Sequence, residues 1–175
     1  TITLAALAVA LTAAIGAGAQ TGERAFVPVT DAMLKNPAPG DWLMWRRTLN
    51  GWGYSPLSSI DKSNVAKLTQ VWSHPLGMGI QESTPLVYDG VMYVPNGGDY
   101  VQAFDAKSGE LKWEYRRFPE GRGGTNRNLA IWGTTLIDAR ADNSMYAIDA
   151  RTGALVWETK VLEPNLPARA SSGPI

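Results

Sequence analysis

From residue 83 onward the apolar residues fall into short runs cut by turn formers, without the three-to-four spacing of an amphipathic helix. Pro85 to Tyr88 is a run, Asp89-Gly90 is a two-residue hairpin signal, and Val91 to Pro95 is the return. Asn96-Gly97-Gly98-Asp99 turns the chain again, Tyr100 to Asp105 is a third strand, Ala106 to Gly109 a turn, and Glu110 to Tyr115 a fourth strand. The plan then repeats. Asn128 to Trp132, Thr135 to Ala139, Ser144 to Asp149 and Ala154 to Lys160 are strands, with turns at Gly133-Thr134, Ala141 to Asn143 and Ala150 to Gly153. A third copy begins at Ser171 to Ile175.

The repeat is sharpest where AFDAKSGELKWEY (Ala103 to Tyr115) returns as AIDARTGALVWET (Ala147 to Thr159), placing Trp113 and Trp157 44 residues apart. A period of about forty residues, made of four short strands and Gly-containing turns, is the signature of a β-propeller blade. The expected fold is therefore all-β, a propeller with tryptophan-docking repeats, of which about two and a half blades are present. A blade cannot bury both faces of its sheet alone, so each needs a neighbour on either side. The recurring residues have structural work to do. The Asp carboxylate accepts backbone N–H bonds across its turn, the Gly takes the positive-φ position that closes it, and the Trp fills the gap between sheets. Trp72 stands 41 residues before Trp113 and marks the end of a partial blade, with Thr69 to His74 expected as a strand.

Upstream the text changes character. Thr1 to Ala19 is apolar, uncharged and ends in Ala17-Gly18-Ala19, an A-x-A processing pattern, so residues 1–19 are expected to be a secretory signal peptide. No Met or basic stretch precedes it, from which a truncated start is expected. Residues 20–41 are polar and Pro-rich and form an N-terminal arm, with a short helix expected around Thr30 to Asn36, capped by Thr30 or Asp31. Residues 42–175 are the partial propeller. Its entry, Trp42 to Leu57, gathers three Trp and one Tyr around Asn50-Gly51, an aromatic packing element; Arg46 and Arg47 are adjacent and expected on opposite sides of a strand. Ile60 to Leu68 is expected as a turn or helical linker.

Composition narrows the function classes. Sixteen basic and sixteen acidic residues leave no net charge, and no basic stripe indicates a nucleic-acid partner. With no Cys, disulfide and thiolate-metal sites are excluded within these residues. His74, the sole His, sits beside Pro75 and is expected to be structural. Asp89, Asp105, Asp138 and Asp149 are not taken as catalytic bases; three of them sit at turns.

The D-A-x-[ST]-G-x-x-x-W phrases ending at Trp113 and Trp157 resemble the tryptophan-docking repeat of quinoprotein propellers. The ordered segments WRRTLNGWGYSPLSSIDKSNVAKLTQVW, QESTPLVYDGVMYV and TNRNLAIWG further resemble the N-terminal third of the pyrroloquinoline-quinone (PQQ) dependent alcohol dehydrogenases of the methanol/ethanol family. This resemblance implies an eight-bladed propeller when complete, and three residues toward PQQ. Glu82 in Q-E-S-T-P matches a carboxylate near the quinone, Arg127 in T-N-R-N-L-A matches an arginine pairing with a PQQ carboxylate, and Ser171 falls where a hydroxyl bonds the quinone. The family's two adjacent Cys residues ahead of that Arg have no counterpart; Gly121 to Thr125 stands there instead.

The implied chemistry is oxidation of a small-molecule alcohol by hydride transfer to PQQ, with a Ca²⁺ or lanthanide ion polarising the quinone carbonyl and an Asp taking the hydroxyl proton. The metal ligands and that base are expected beyond residue 175, so no catalytic residue and no metal ligand is assigned within the chain. The implied partners are a cytochrome c or quinone electron acceptor, and the implied location is the periplasm. Two other readings share the repeat: a non-enzymatic envelope assembly scaffold, and a quinoprotein acting on sugars, polyols or polymers.

Overall fold

A computed structural model describes residues 25–77, 80–117, 126–140, 142–161 and 172–174. Ten strands, one five-residue helix and one 3-10 turn make up the regular structure there. The first four-stranded sheet joins β2 (Leu86–Tyr88), β3 (Val91–Asn96), β4 (Tyr100–Asp105) and β5 (Leu111–Arg116), in chain order and antiparallel throughout. The second joins β7 (Ala130–Trp132), β8 (Thr135–Ala139), β9 (Ser144–Asp149) and β10 (Leu155–Lys160) in the same way. These are the two blades read from the repeat.

Each turn is made by the residue its geometry requires. Asp89 and Gly90 both have positive φ, 47° and 79°, as a two-residue hairpin turn between β2 and β3 demands. After β4, the Asp105 carboxylate accepts from the backbone N–H of Lys107 (3.0 Å) and Ser108 (2.8 Å). Gly109 closes that turn at φ 75° with its N–H on the Asp105 carbonyl. Asp149 and Gly153 rebuild the same device after β9, with Gly153 at φ 73°.

The blades meet face to face. Leu86, Tyr93, Val101 and Ala103 of the first and Ile131, Leu136, Tyr146 and Ile148 of the second are buried together, each large side chain worth roughly 1.5–3 kcal/mol in area removed from water. Trp113 of β5 reaches across: its indole N–H donates to the Ala150 carbonyl at 3.1 Å, and its ring lies where a Cβ on Gly153 would come within 2.7 Å. Alternation along β5 turns Trp113 and Tyr115 toward blade two, where Tyr115 stacks on Tyr146 at 5.3 Å.

The arm fastens both blades. Thr30 caps α1 (Asp31–Lys35) by accepting from Met33 N–H. Val29 exchanges two 2.8 Å hydrogen bonds with Gly133 of blade two, and Trp42 exchanges bonds of 2.7 and 2.9 Å with Val87 of blade one. The Tyr88 hydroxyl donates to the Val27 carbonyl, and Val29 and Leu43 enter the core.

Three local expectations are corrected. Arg46 and Arg47 lie in turns: Arg47, at φ 67° and buried, donates to the Pro37 and Ala38 carbonyls, so it closes the arm. The run from Asn128 to Trp132 is broken at Leu129, because its first part pairs with a different sheet from its second. Thr69 to His74 is not a strand, since among the described residues no neighbouring strand supplies its hydrogen bonds. Residues 1–19, expected to be a signal peptide, lie outside the described residues.

Candidate functional site

The first strand of each blade starts away from its own sheet. In blade one, β1 (Gln81–Thr84) precedes Pro85, whose missing N–H ends the ladder, and β2 follows. In blade two, β6 (Asn126–Asn128) precedes the break at Leu129. Freed from their sheets, β1 and β6 pair with each other in parallel, in the register Gln81 with Asn126 and Thr84 with Asn128. Thr84 and Asn128 are 44 residues apart, so the pairing joins equivalent points of the repeat.

This pairing brings Glu82 and Arg127 together. The Arg127 guanidinium lies 2.8 Å from the Glu82 carboxylate, with both side chains about two-fifths exposed (41 % and 44 %). Two residues 45 apart in sequence thus share one location at the paired strand starts. Ser171 lies outside the described residues, as does Gly121 to Thr125; of the third repeat, Gly173 and Pro174 are described and lie against Asn128. The Asn128 side chain accepts from Gly173 N–H (3.1 Å) and donates to the Pro174 carbonyl (2.8 Å). Asn128 is a residue sequence reasoning passed over. Its position one step after Arg127 was visible, but nothing in the text showed that its amide would grip a segment 45 residues ahead.

The surroundings hold this end of the molecule in place. The Gln81 side chain accepts from Gly97 N–H in the β3–β4 turn and donates to the Gly77 carbonyl, bracing the start of β1. A Cβ at Gly97 would stand 2.9 Å from the Ile80 carbonyl, so only glycine lets that turn lie against the chain entering β1. In the same turn, Asp99 faces Arg140 of blade two across 3.8 Å. Arg140 is buried under the Tyr146 ring, its guanidinium carbon 3.9 Å from the centroid. Burial raises the Asp99 pKa, and Arg140 opposes that rise. Close by, burial also pushes Asp142 up, yet hydrogen bonds from Ser144, Arg117 and Lys160 outweigh it and hold the carboxyl well below the usual range.

The residues set aside as bases are structural. Asp105 and Asp149 close turns, and Asp138 is buried and accepts the Tyr146 hydroxyl at 2.7 Å. His74 packs on the Phe104 ring at 4.6 Å. Among the described residues no group of three or more His, Asp and Glu stands ready to hold a metal ion, and no helix is long and apolar enough to cross a membrane. A groove of about 680 Å³, lined in part by Phe26, Tyr88, Trp113 and Arg151, opens beside the β2–β3 turn, at the other end of β3 from Gly97. Its lining comes from the arm and the two blade faces, and it does not include the Glu82–Arg127 pair.

The chemistry of the pair suits a carboxylated, planar cofactor. Arg127 offers a permanently charged fork that binds carboxylates bidentately, and Glu82 offers acceptors beside it. Because the pair is half exposed, separating its partners to admit a ligand costs only about 0–1 kcal/mol.

Comparison with known proteins identifies the family of the fold. The profile of the glucose/ethanol/alcohol dehydrogenase β-propeller family, which is named for PQQ, matches residues 42–156. The dehydrogenase subunit of a quinone alcohol dehydrogenase from Gluconacetobacter polyoxogenes is 37 % identical over 134 residues, covering 72 % of this chain and 18 % of that protein. A quinohemoprotein alcohol dehydrogenase from Pseudomonas putida is 34 % identical over 148 residues, 78 % of this chain and 21 % of that protein. Among solved structures, another Pseudomonas putida quinohemoprotein alcohol dehydrogenase superposes with a TM-score of 0.72 at 33 % identity, covering 79 % of this chain and 22 % of its own. A europium-containing methanol dehydrogenase superposes with a TM-score of 0.66 at 29 % identity, covering 74 % and 24 %. The chain thus spans about a fifth of the length of the curated relatives it matches. With two tryptophan-docked blades in the order of the repeat and a profile match over most of its length, this chain belongs to the PQQ-dependent alcohol dehydrogenase β-propeller family.

Proposed function

We propose that this chain is the N-terminal part of an exported quinoprotein dehydrogenase that oxidises a primary alcohol, and that by itself it does not turn over substrate. The observation carrying this reading is the meeting of Glu82 and Arg127 at the parallel starts of β1 and β6. Residues 1–19 serve as the cleaved signal for the periplasm in this proposal, and residues 20–41 as the arm. A named relative is a 1-butanol dehydrogenase using cytochrome c and another uses a quinone, which supports an acceptor of one of these two kinds here.

When bound, PQQ supplies the hydride acceptor, with Ca²⁺ or a lanthanide as Lewis acid. The chain's own residues bind and orient it. Arg127 takes a carboxylate of the cofactor in exchange for part of its bond to Glu82, and Glu82 holds the guanidinium at the right height from the opposite strand. Asn128 holds Gly173 and Pro174 at the entry of the third repeat, and Ser171 is the further residue proposed to bond the quinone. No residue assigned here receives the alcohol proton; that base and the metal ligands belong to the rest of the protein.

The test uses the full-length protein, prepared without cofactor and then given PQQ with Ca²⁺ or a lanthanide, a primary alcohol and a dye acceptor. Turnover is expected only after quinone is added. Equal turnover without quinone, or none with it, overturns the proposal. Arg127→Ala is expected to weaken PQQ binding at least tenfold in a titration followed by quinone absorbance.

A further inference from the structure

Arg140 is buried in a way that fold stability does not explain. Its side chain is 0 % exposed, and among the described residues no hydrogen bond reaches any of its three guanidinium nitrogens, an arrangement that costs free energy. The guanidinium carbon stands 3.9 Å from the Tyr146 ring centroid and 6.0 Å from that of Tyr115. Asp99 lies 3.8 Å from one nitrogen, too far for a hydrogen bond but close enough for charge attraction. Burial raises the Asp99 pKa further than Arg140 lowers it, so the pair does not offset the burial of its two charges.

The repeat sets this position apart. Arg140 stands 44 residues after Asn96, and Asn143 stands 44 after Asp99; Asp99 and Asn143 both have positive φ, 60° and 62°, so the two segments are equivalent turns. In blade one the first place holds Asn96, whose amide stays within its own sheet, donating to the Val94 carbonyl and to the Gln102 side chain. In blade two Arg140 crosses instead to the turn of the blade before it. Both turns lie where the first strands leave their sheets. Counting on from Ala130 opposite Ile137, Asn128 would face Ala139, and counting on from Leu86 opposite Tyr93, Thr84 would face Pro95. Thr84 and Asn128 pair with each other instead, so Arg140 joins the two turns beside the β1–β6 pairing.

From Asp99 the contacts lead to the start of β1. Gly97, in the same turn, rests against the Ile80 carbonyl, where a Cβ would come within 2.9 Å, and its N–H donates to the Gln81 side chain at 3.3 Å. Gln81 is the neighbour of Glu82 and pairs with Asn126, the neighbour of Arg127. We propose that Arg140 is a positioning residue for the Glu82–Arg127 pair: held by blade two, it draws on Asp99 and so sets the height at which blade one presents β1 to β6. This rests on the reading of that pair as part of the quinone site. Arg140 acts through Asp99 and Gln81 and is assigned no contact with the cofactor.

The experiment uses the full-length protein prepared without quinone, as Asp99→Asn, Arg140→Met and Arg140→Lys. Asn is tolerated at positive φ, so the first variant removes the charge and leaves the turn. The Gly97 amide is expected to exchange about tenfold faster or more in Asp99→Asn and Arg140→Met, with the amides of β4 and β8 within about threefold of wild type. Arg140→Lys, which keeps a charge opposite Asp99, is expected to recover most of the loss. In a quinone titration followed by absorbance, the same two variants are expected to raise the Kd about fivefold or more, with Arg140→Lys nearer to wild type. Where Arg140→Met fails to fold, Asp99→Asn carries the test. An unchanged Gly97 rate overturns the proposal, as does faster exchange throughout β4 and β8 in Asp99→Asn, which makes the ion pair a support of the whole joint. A faster Gly97 rate with an unchanged Kd overturns it too, since the turn then does not govern the pair. Wild-type protein that takes up no quinone overturns the proposed function instead, and the Gly97 rates then decide alone whether Arg140 positions β1.

Discussion

Strands β5 and β10 carry the same sequence device and end in different circumstances. Both put a Trp eight residues after the turn Asp, and both lie at the outer edge of a four-stranded sheet. Trp113 is covered because blade two offers Gly153 and the Ala150 carbonyl, whereas Trp157 is 41 % exposed and every position of β10 is exposed. The tryptophan therefore does not stabilise its own blade so much as the joint to the next one. Its worth is a property of two repeats, and a single repeat cannot express it.

The most damaging change to that joint is at its glycine. Gly153→Val forces a branched residue to φ 73° and into the Trp113 ring, and is expected to cost about 3–4 kcal/mol in urea unfolding. Gly133→Ala, at φ 59° but facing open space, should cost only about 1 kcal/mol. If the two are equal, backbone conformation and not docking sets the requirement. Next in size is the tryptophan itself: Trp113→Ala is expected to lose roughly 2–3 kcal/mol and Trp157→Ala less than about 1 kcal/mol. Equal losses would mean that Trp157 is covered in solution.

A smaller effect concerns the turns. Asp105 is held below its ordinary pKa chiefly by the backbone and side chain of Ser108, and Asp149 chiefly by the Arg151 side chain. A carboxylate depressed by folding adds stability above its unfolded pKa and loses it as pH falls through the depressed value. Stability should therefore decline as pH drops below about 4, and Asp149→Asn should flatten that decline in acid unfolding curves. Asp99, raised by burial, acts in the opposite sense, so Asp99→Asn is expected to steepen it. Smallest of all for stability is the exposed charge pair: Glu82→Gln is expected to shift urea unfolding by less than about 0.5 kcal/mol while weakening quinone binding in the full-length protein. A large loss of stability would move Glu82 from the site to the scaffold.

Much of this was legible in the text because the blade is a local object. The Asp-Gly hairpin, the D-A-x-[ST]-G turn and the alternation of β5 each follow from residues a few positions apart, and they were read with nearly correct bounds. What escaped was set by partners distant in sequence. Thr69 to His74 has the residues of a strand and, among the described residues, no sheet to join, and Arg47 was read as a strand residue because its carbonyl partners at Pro37 and Ala38 had no signature. The site divides in the same way. Glu82 and Arg127 were found through resemblance, but their contact rests on the parallel pairing of β1 with β6, and the grip of Asn128 on the third repeat left no mark in composition or spacing.

The two bridges of the arm impose an order on folding. Each blade is a meander of contacts between neighbouring strands, and such local contacts form early. Val29, by contrast, waits for Gly133, more than a hundred residues later. During synthesis at about 5–20 residues per second, Val29 therefore remains without that partner for roughly 1–3 seconds after blade one can form. Among the described residues, the segment that ties the blades together is thus the part of the chain whose hydrogen-bond partners lie farthest away in sequence.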